Sequence, residues 1–332
     1  MERGAASLAS WAAGIRAAHE RIAPHVRRTP VEPSPWLSAA TGAEVWVKLE
    51  SHQITGSFKA RGAVNRVLAA DLETRRRGFV AASTGNHGAA LAYAAGLVGA
   101  PATVFVPATA DPDKVRRLRA SAVRVEVAGQ DCVEAEAAAR AAARSEGATY
   151  VSPYNDPAVV AGQGTVGREL AAQVPGLDAV FVALGGGGLL GGCAAWLKAA
   201  RPETEIVACS PRNSAVMMRS LAAGRILDLP SLPTLSDGTA GGVEPGAITF
   251  ELCRELIDRQ VEVEEAAIAW ALRAFVGHHH ALIEGAAAVP IAALLAMERN
   301  FAGRKVAVVL CGANIAPAKL GEILRDEALP PA

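Results

Sequence analysis

The 332-residue chain holds 33 basic and 33 acidic residues, is 51% hydrophobic and only 5% aromatic. Zero formal charge leaves no electrostatic case for a nucleic-acid or anionic-membrane partner, and every long apolar run is broken by glycine or charge before it could span a bilayer. Five scattered cysteines without a CxxC pair read as free thiols of a cytoplasmic protein, and the length favours two lobes over one core.

Residues 1–22 read as an amphipathic helix with charges inside it, unlike the unbroken apolar stretch of a signal peptide. A strand at 44–50 then leads across a polar turn, 51–57, into a helix at 60–70. From there strand and helix signals alternate. Strands are expected at 79–83, 102–106, 123–127, 149–152, 179–184, 205–209, 260–263 and 306–311. Helices are expected at 88–97, 113–120, 132–145, 158–173, 189–198, 214–223, 248–258, 264–278, 286–298 and 316–325. Several strands are continuous apolar runs, as parallel strands covered on both faces are. The pattern predicts an α/β fold of mostly parallel, open twisted sheets with helices on both faces. There is no internal repeat and no low-complexity linker.

Three stretches carry chemistry. In S-F-K-A-R-G (57–62), Lys59 sits where a strand end becomes a helix start, a favoured ligand position in α/β folds, with Phe58 beside it. Desolvation there would lower the amine's pKa and make it a nucleophile and Schiff-base former. Alone, Lys59 would read as a solvated lysine. The second stretch, Ser83-Thr84-Gly85-Asn86-His87-Gly88, follows a strand and opens a helix, whose N–H groups suit a carboxylate. Its plainer reading is a turn capped by Ser83 or Thr84, with a structural His87. The third, Gly185, Gly186, Gly187 and Gly188, ends a buried strand. Four ordered glycines cost chain entropy, and their N–H groups can converge on a phosphate in front of a helix. Neither the dinucleotide fingerprint nor a P-loop is present.

Cys311 ends another buried strand, either packed as a small hydrophobe or offering S–H to a ring nitrogen. His278, His279 and His280 point different ways on a helix and do not form one metal site, although one of them is expected near the substrate pocket. A lysine, a phosphate cradle and a weak donor for a ring nitrogen are together what pyridoxal 5′-phosphate needs.

The chain resembles the fold-type II pyridoxal-phosphate enzymes of the serine/threonine dehydratase and serine racemase group. The likeness rests on K-L-E-S-H-Q-I-T-G-S-F-K-A-R-G-A (48–63), A-S-T-G-N-H-G (82–88), V-F-V-P (104–107), A-G-Q-G-T (161–165), G-G-G-G-L (185–189) and C-G-A-N (311–314), in the family's order. It implies a tryptophan synthase β-like, two-domain fold: a large cofactor domain from 1–77 and 155–332 and a small domain from 78–154. It implies that Lys59 binds the cofactor and takes the α-proton, that Phe58 packs on the ring and that Asn86 meets its 3-hydroxyl. Ser83, Thr84, Gly85 and His87 would surround the substrate carboxylate, with Tyr154 nearby. Residues 185–188 would hold the phosphate, Cys311 would meet the pyridine nitrogen, and Gly238 and Glu284 would be cofactor neighbours. Where metal-binding relatives carry two carboxylates, Ser210, Ser214 and Val216 stand here, so no metal is expected. The racemase serine is replaced by Thr84. With the sequence ending at Ala332, no regulatory domain is expected, which resembles the catabolic enzymes of the group.

The expected reaction is β-elimination of L-threonine, L-serine or a similar β-hydroxy-α-amino acid to a 2-oxo acid and ammonia. The alternatives are a racemase using Lys59 and Thr84, or a hydroxyectoine-utilization dehydratase, which residues 234–246 and 277–280 resemble. A non-catalytic amino-acid binder would have little reason to keep Lys59 and four glycines. Residues 239–242 and 278–280, with Tyr154, are the expected selectivity elements. The resemblance also implies a homodimer.

Overall fold

The computed structural model describes residues 7–110, 112–121, 123–297 and 300–325. Helix α1 (Leu8–Ile22) is capped by Ser7, whose hydroxyl accepts from Ser10 N. The first six residues of the expected N-terminal helix, and residue 298 of the expected 286–298 helix, lie outside the described residues. Strand β1 (Val31–Pro33) and helix α2 (Pro35–Thr41) are too short for periodicity to reveal. The local sign of α2 is its cap: Ser34 Oγ accepts from Leu37 N, and Pro35 occupies the first turn.

Next come β2 (Glu44–Leu49), α3 (Lys59–Leu68), α4 (Leu72–Arg77), β3 (Phe79–Ala82), α5 (Asn86–Val98), β4 (Ala102–Val106), α6 (Pro112–Arg119), β5 (Arg124–Val127), α7 (Cys132–Glu146) and β6 (Thr149–Tyr150). The chain continues through α8 (Pro157–Gln173), β7 (Ala179–Ala183), α9 (Gly188–Ala200), β8 (Glu205–Pro211), α10 (Val216–Ala223), α11 (Ile248–Leu256), β9 (Arg259–Val263), α12 (Glu265–His279), α13 (Gly285–Ala296), β10 (Lys305–Leu310) and α14 (Pro317–Arg325).

The strands form two sheets. One runs β1-β2-β10-β7-β8-β9, parallel except for β1 at its edge. The other runs β5-β4-β3-β6 and is wholly parallel. This is the expected α/β class. In the larger sheet β2, β10 and β7 are neighbours, with Leu310 opposite Leu49 and Val308 opposite Phe181. Parallel neighbours end on one edge, so the residues that follow these three strands meet there.

Helices α8 and α9 cross closely behind the larger sheet. A Cβ on Gly192 would lie 2.5 Å from Val160 O, and one on Gly164 would lie 2.8 Å from Gly192 O, which gives A-G-Q-G its packing role. Helix α3 lies in the chain between β2 of the larger sheet and β3 of the smaller one. Its Ala63, Val64 and Val67 share one buried cluster with Phe79, Ala81 and Leu91.

Candidate active site

Two loop ends zip together to position Lys59. Ser57 bridges Gly312, Phe58 N donates to Cys311 O at 3.0 Å, and Ala313 N donates to Gly56 O at 2.9 Å. The segment leaving β2 is thereby fixed to the segment leaving β10. Behind Lys59, a buried charge cluster fixes the first turn of α3. Arg61 donates to Glu50 twice, at 2.8 Å each, and to Glu169 at 2.7 and 2.9 Å. Lys48 Nζ lies 2.7 Å from Glu169 and also donates to Thr29 O and Gln173 Oε1. Sequence reading missed this cluster.

The Lys59 amine donates to Pro153 O at 3.3 Å and stands 5.0 Å from the Phe58 ring centroid. Burial brings its pKa down to about 8, although Cys311 and Glu284 pull the other way.

The glycine turn follows β7 on the same edge. Gly187 has φ +85° and precedes α9, which no side chain caps. A Cβ on Gly186 would sit 2.2 Å from the Tyr154 ring, and one on Gly185 would sit 2.9 Å from Thr239 Cα. Thr249 Oγ1 donates to Gly186 O at 2.7 Å and so holds the turn from behind, another contact the sequence does not announce. The turn lines a narrow cleft of about 40 Å³ with Phe58, Lys59, Asn86, Gly238, Glu284 and Cys311.

The cleft continues into a cavity of about 250 Å³, walled by Lys59, Ser83, Thr84, Gly85, Asn86, His87, Tyr154 and Glu284 among others. Neither Ser83 nor Thr84 caps α5. Gly85 takes the cap position without a side-chain bond, and Ser83 Oγ accepts from Gly85 N at 3.2 Å. A helix start without a side-chain cap is suited to an anion.

Asn86 is held from two sides. Its Nδ2 donates to both Glu284 oxygens, at 2.9 and 3.0 Å, and its Oδ1 accepts from Asn314 Nδ2 at 2.7 Å. Asn314 N donates to Glu284 Oε2 at 3.1 Å, so this overlooked residue of C-G-A-N orders the wall. Burial raises the Glu284 pKa against the lowering effect of Asn86, and Asp237 adds to the rise. Cys311 Sγ lies 3.8 Å from Glu284 Oε1, and burial followed by Glu284 keeps it a protonated thiol.

His87 Nε2 is 2.8 Å from Val151 O. A carbonyl only accepts, so Nε2 carries the hydrogen and Nδ1 is a bare acceptor with no partner in the protein. Burial, then Lys59, depresses its pKa to about 4, so the ring is neutral.

The histidine run is elsewhere, which corrects the expectation that one of its members lines the substrate pocket. His278 stacks on Trp36 at 4.7 Å, and His279 lies 2.8 Å from Ser34 Oγ. Both line a surface groove beside α2 rather than the cavities around Lys59. Thr239, Ala240 and Gly242 do line the larger cavity. Ser210 donates to Leu184 O at 2.8 Å, and Ser214 Oγ accepts from Gly241 N at 3.1 Å.

A desolvated amine, a glycine turn with no room for a Cβ beside the cleft and a neutral thiol fit pyridoxal 5′-phosphate. A family model described as pyridoxal-phosphate dependent enzyme matches residues 22–312. The chain belongs to this family. The cofactor of this pyridoxal-phosphate enzyme is therefore pyridoxal 5′-phosphate. It is 40% identical to an L-threonine ammonia-lyase of Thermotoga maritima over 301 residues, 91% of this chain and 75% of that one. It is 37% identical to a beta-hydroxyaspartate dehydratase of Paracoccus denitrificans over 307 residues, covering 92% and 96% of the two chains. Maize serine racemase superimposes with a TM-score of 0.89 at 34% identity, covering 94% of this chain and 95% of the other.

Proposed function

We propose that the enzyme eliminates the β-hydroxyl of a small β-hydroxy-α-amino acid, such as L-threonine or L-serine. The net products are a 2-oxo acid and ammonium, because the water lost in elimination is consumed when the enamine hydrolyses. What carries this reading is Lys59, an amine with a pKa near 8 that faces a 250 Å³ cavity beside a glycine turn.

When bound, pyridoxal 5′-phosphate supplies the electron sink that lets a proton leave Cα. Residues 185–188 would hold its phosphate, with Phe58 and Asn86 beside its ring. Lys59 takes the α-proton, and its lowered pKa keeps part of the amine neutral at neutral pH. The start of α5, with Ser83, Thr84 and Gly85, takes the α-carboxylate. Cys311, kept as a neutral thiol, is too weak an acid to protonate a ring nitrogen fully, which favours loss of the β-hydroxyl over transamination.

A racemase is the second reading. Its support is that Thr84 offers a hydroxyl to the cavity that Lys59 enters. Thr84→Ala separates the two, since racemisation stops while elimination, whose base is Lys59, largely persists with a raised KM. A hydroxyectoine-derived amino acid stays within the proposed substrate range, and a cytoplasmic homodimer stays part of the proposal by family resemblance. Among the described residues no helix is long and apolar enough to cross a membrane.

The test follows 2-oxo acid and ammonia from purified holoenzyme given L-serine, L-threonine and L-threo- and L-erythro-3-hydroxyaspartate. Oxo acid from at least one of them is expected, with complete loss in Lys59→Ala. Turnover by Lys59→Ala, or no oxo acid from any substrate, overturns the proposal.

A further inference from the structure

Lys114 and Asp237 meet on the wall of the cavity. Lys114 stands on α6, beside the four-stranded sheet, and Asp237 lies in the irregular segment between α10 and α11, next to Gly238. Their Nζ and Oδ2 atoms are 2.7 Å apart. Both residues line the same 250 Å³ cavity as Lys59, Ser83 and Thr84.

We propose that this pair reads a second carboxylate on the substrate's β-carbon, so that the enzyme prefers an amino acid of the 3-hydroxyaspartate class to L-threonine. The inference rests on the β-elimination reading and names its substrate class. The ionised or ionisable cavity-lining side chains are few. Lys59 does the chemistry, His87 is neutral, Glu284 is bound by Asn86 and Asn314, and burial raises the pKa values of Tyr154 and Cys132, which keeps both uncharged. Lys114 is the remaining described cation on that wall. The α-carboxylate has the start of α5, so a carboxylate one carbon further along needs a cation of its own.

The two partners differ in accessibility: the Lys114 side chain is 19% exposed and that of Asp237 is 57%. An ion pair this open is worth about 0–1 kcal/mol, so it exchanges readily. A substrate carboxylate replaces Asp237 like for like on Lys114, and Asp237 turns to water. The methyl group of threonine offers Lys114 nothing in exchange. Arg117, three residues on along α6, lines the adjoining 550 Å³ cavity behind residues 84–86 and adds positive potential on this side.

The exchange predicts opposite effects for the two partners, whereas a mere latch predicts like effects. On the holoenzyme, kcat/KM is measured for L-threo-3-hydroxyaspartate and L-threonine in wild type, Lys114→Gln and Asp237→Asn. The wild type should favour the dicarboxylate. Lys114→Gln should lower the ratio of the two values by about 10- to 100-fold, the size of one charge-assisted hydrogen bond, chiefly through KM. Asp237→Asn should raise that ratio by removing one acidic competitor for Lys114. A wild-type preference for threonine, or a ratio that moves the same way or not at all in both variants, overturns the inference while leaving β-elimination standing. A binding readout separates the two failures. Succinate should raise the unfolding temperature of the holoenzyme more than butyrate does, and Lys114→Gln should erase the difference. With no oxo acid from either substrate the reaction assignment falls, and the succinate comparison still decides the charge reader.

Discussion

An amine set between Phe58, Pro153 and Cys311 loses the water that a surface lysine keeps, and its pKa falls to about 8. The same desolvation that readies Lys59 for chemistry works against the apoprotein's stability. The unfolded chain holds the proton up to the ordinary pKa of 10.5, so it binds protons more firmly than the folded chain. The folded state is therefore penalised at neutral pH, by up to about 3 kcal/mol, and the penalty fades as pH rises through 8 toward 10.5. Lys59→Met keeps the bulk and removes the charge. Denaturant unfolding of the two apoproteins should show the variant more stable at pH 7, with the gain shrinking steadily toward pH 10.5. Taking the difference between the two proteins cancels the titration of every other group. A gain that stays constant with pH would show that burial of the amine is not its source.

Helix α3 explains why Lys59 was legible in the sequence while its support was not. A lysine between a polar turn and a helical period is a local signal, and four consecutive glycines after an apolar run are another. Arg61, two residues on, looks like an exposed helical charge until Glu50 and Glu169 arrive from 11 residues upstream and 108 downstream. Asn314 and Glu284 converge on Asn86 from 228 and 198 positions away, and periodicity carries no such pairing. The histidine run misled for the opposite reason, since its local pattern pointed to ligand binding while packing turned it toward Trp36. In the buried cluster two cations face two carboxylates, so removing one partner strands a charge. Arg61→Met should cost about 3–5 kcal/mol in unfolding free energy, because Glu50 loses its ion-pair partner and Glu169 keeps only Lys48. Adding Glu50→Gln should recover part of that loss, measurable as a coupling term in a double-mutant cycle. A single-variant cost below about 1 kcal/mol would show that the cluster does not anchor α3.

At the scale of the whole chain, alternation revealed the class of the fold, but the order of strands is a long-range fact. β10 inserts between β2 and β7, and only this brings Cys311 between the lysine turn and the glycine turn. We propose the two sheets as two lobes, and the irregular segment between α10 and α11 ties them together. Its Glu244 accepts from Ser152 Oγ at 2.8 Å, Asn155 Nδ2 at 2.9 Å and the Arg140 guanidinium at 2.7 Å, and its own N–H donates to Tyr154 OH at 2.9 Å. Arg140 belongs to α7, beside the four-stranded sheet, and the Tyr154 ring lies against Gly186. One carboxylate thus pins the segment that carries Gly238 and Thr239 to the residues that close the glycine turn. Glu244→Ala removes these side-chain bonds without touching Lys59 or the glycines. Each lost bond to the charged group is worth about 1.5–3 kcal/mol at most, and the freed segment regains entropy that offsets part of this. The expected result is faster limited proteolysis within residues 224–247 and about tenfold weaker retention of pyridoxal 5′-phosphate, the size of one such bond. The amine of Lys59 should titrate as before, because its neighbours are unchanged. Unaltered cleavage in that segment would show that the segment is held by contacts other than those of Glu244.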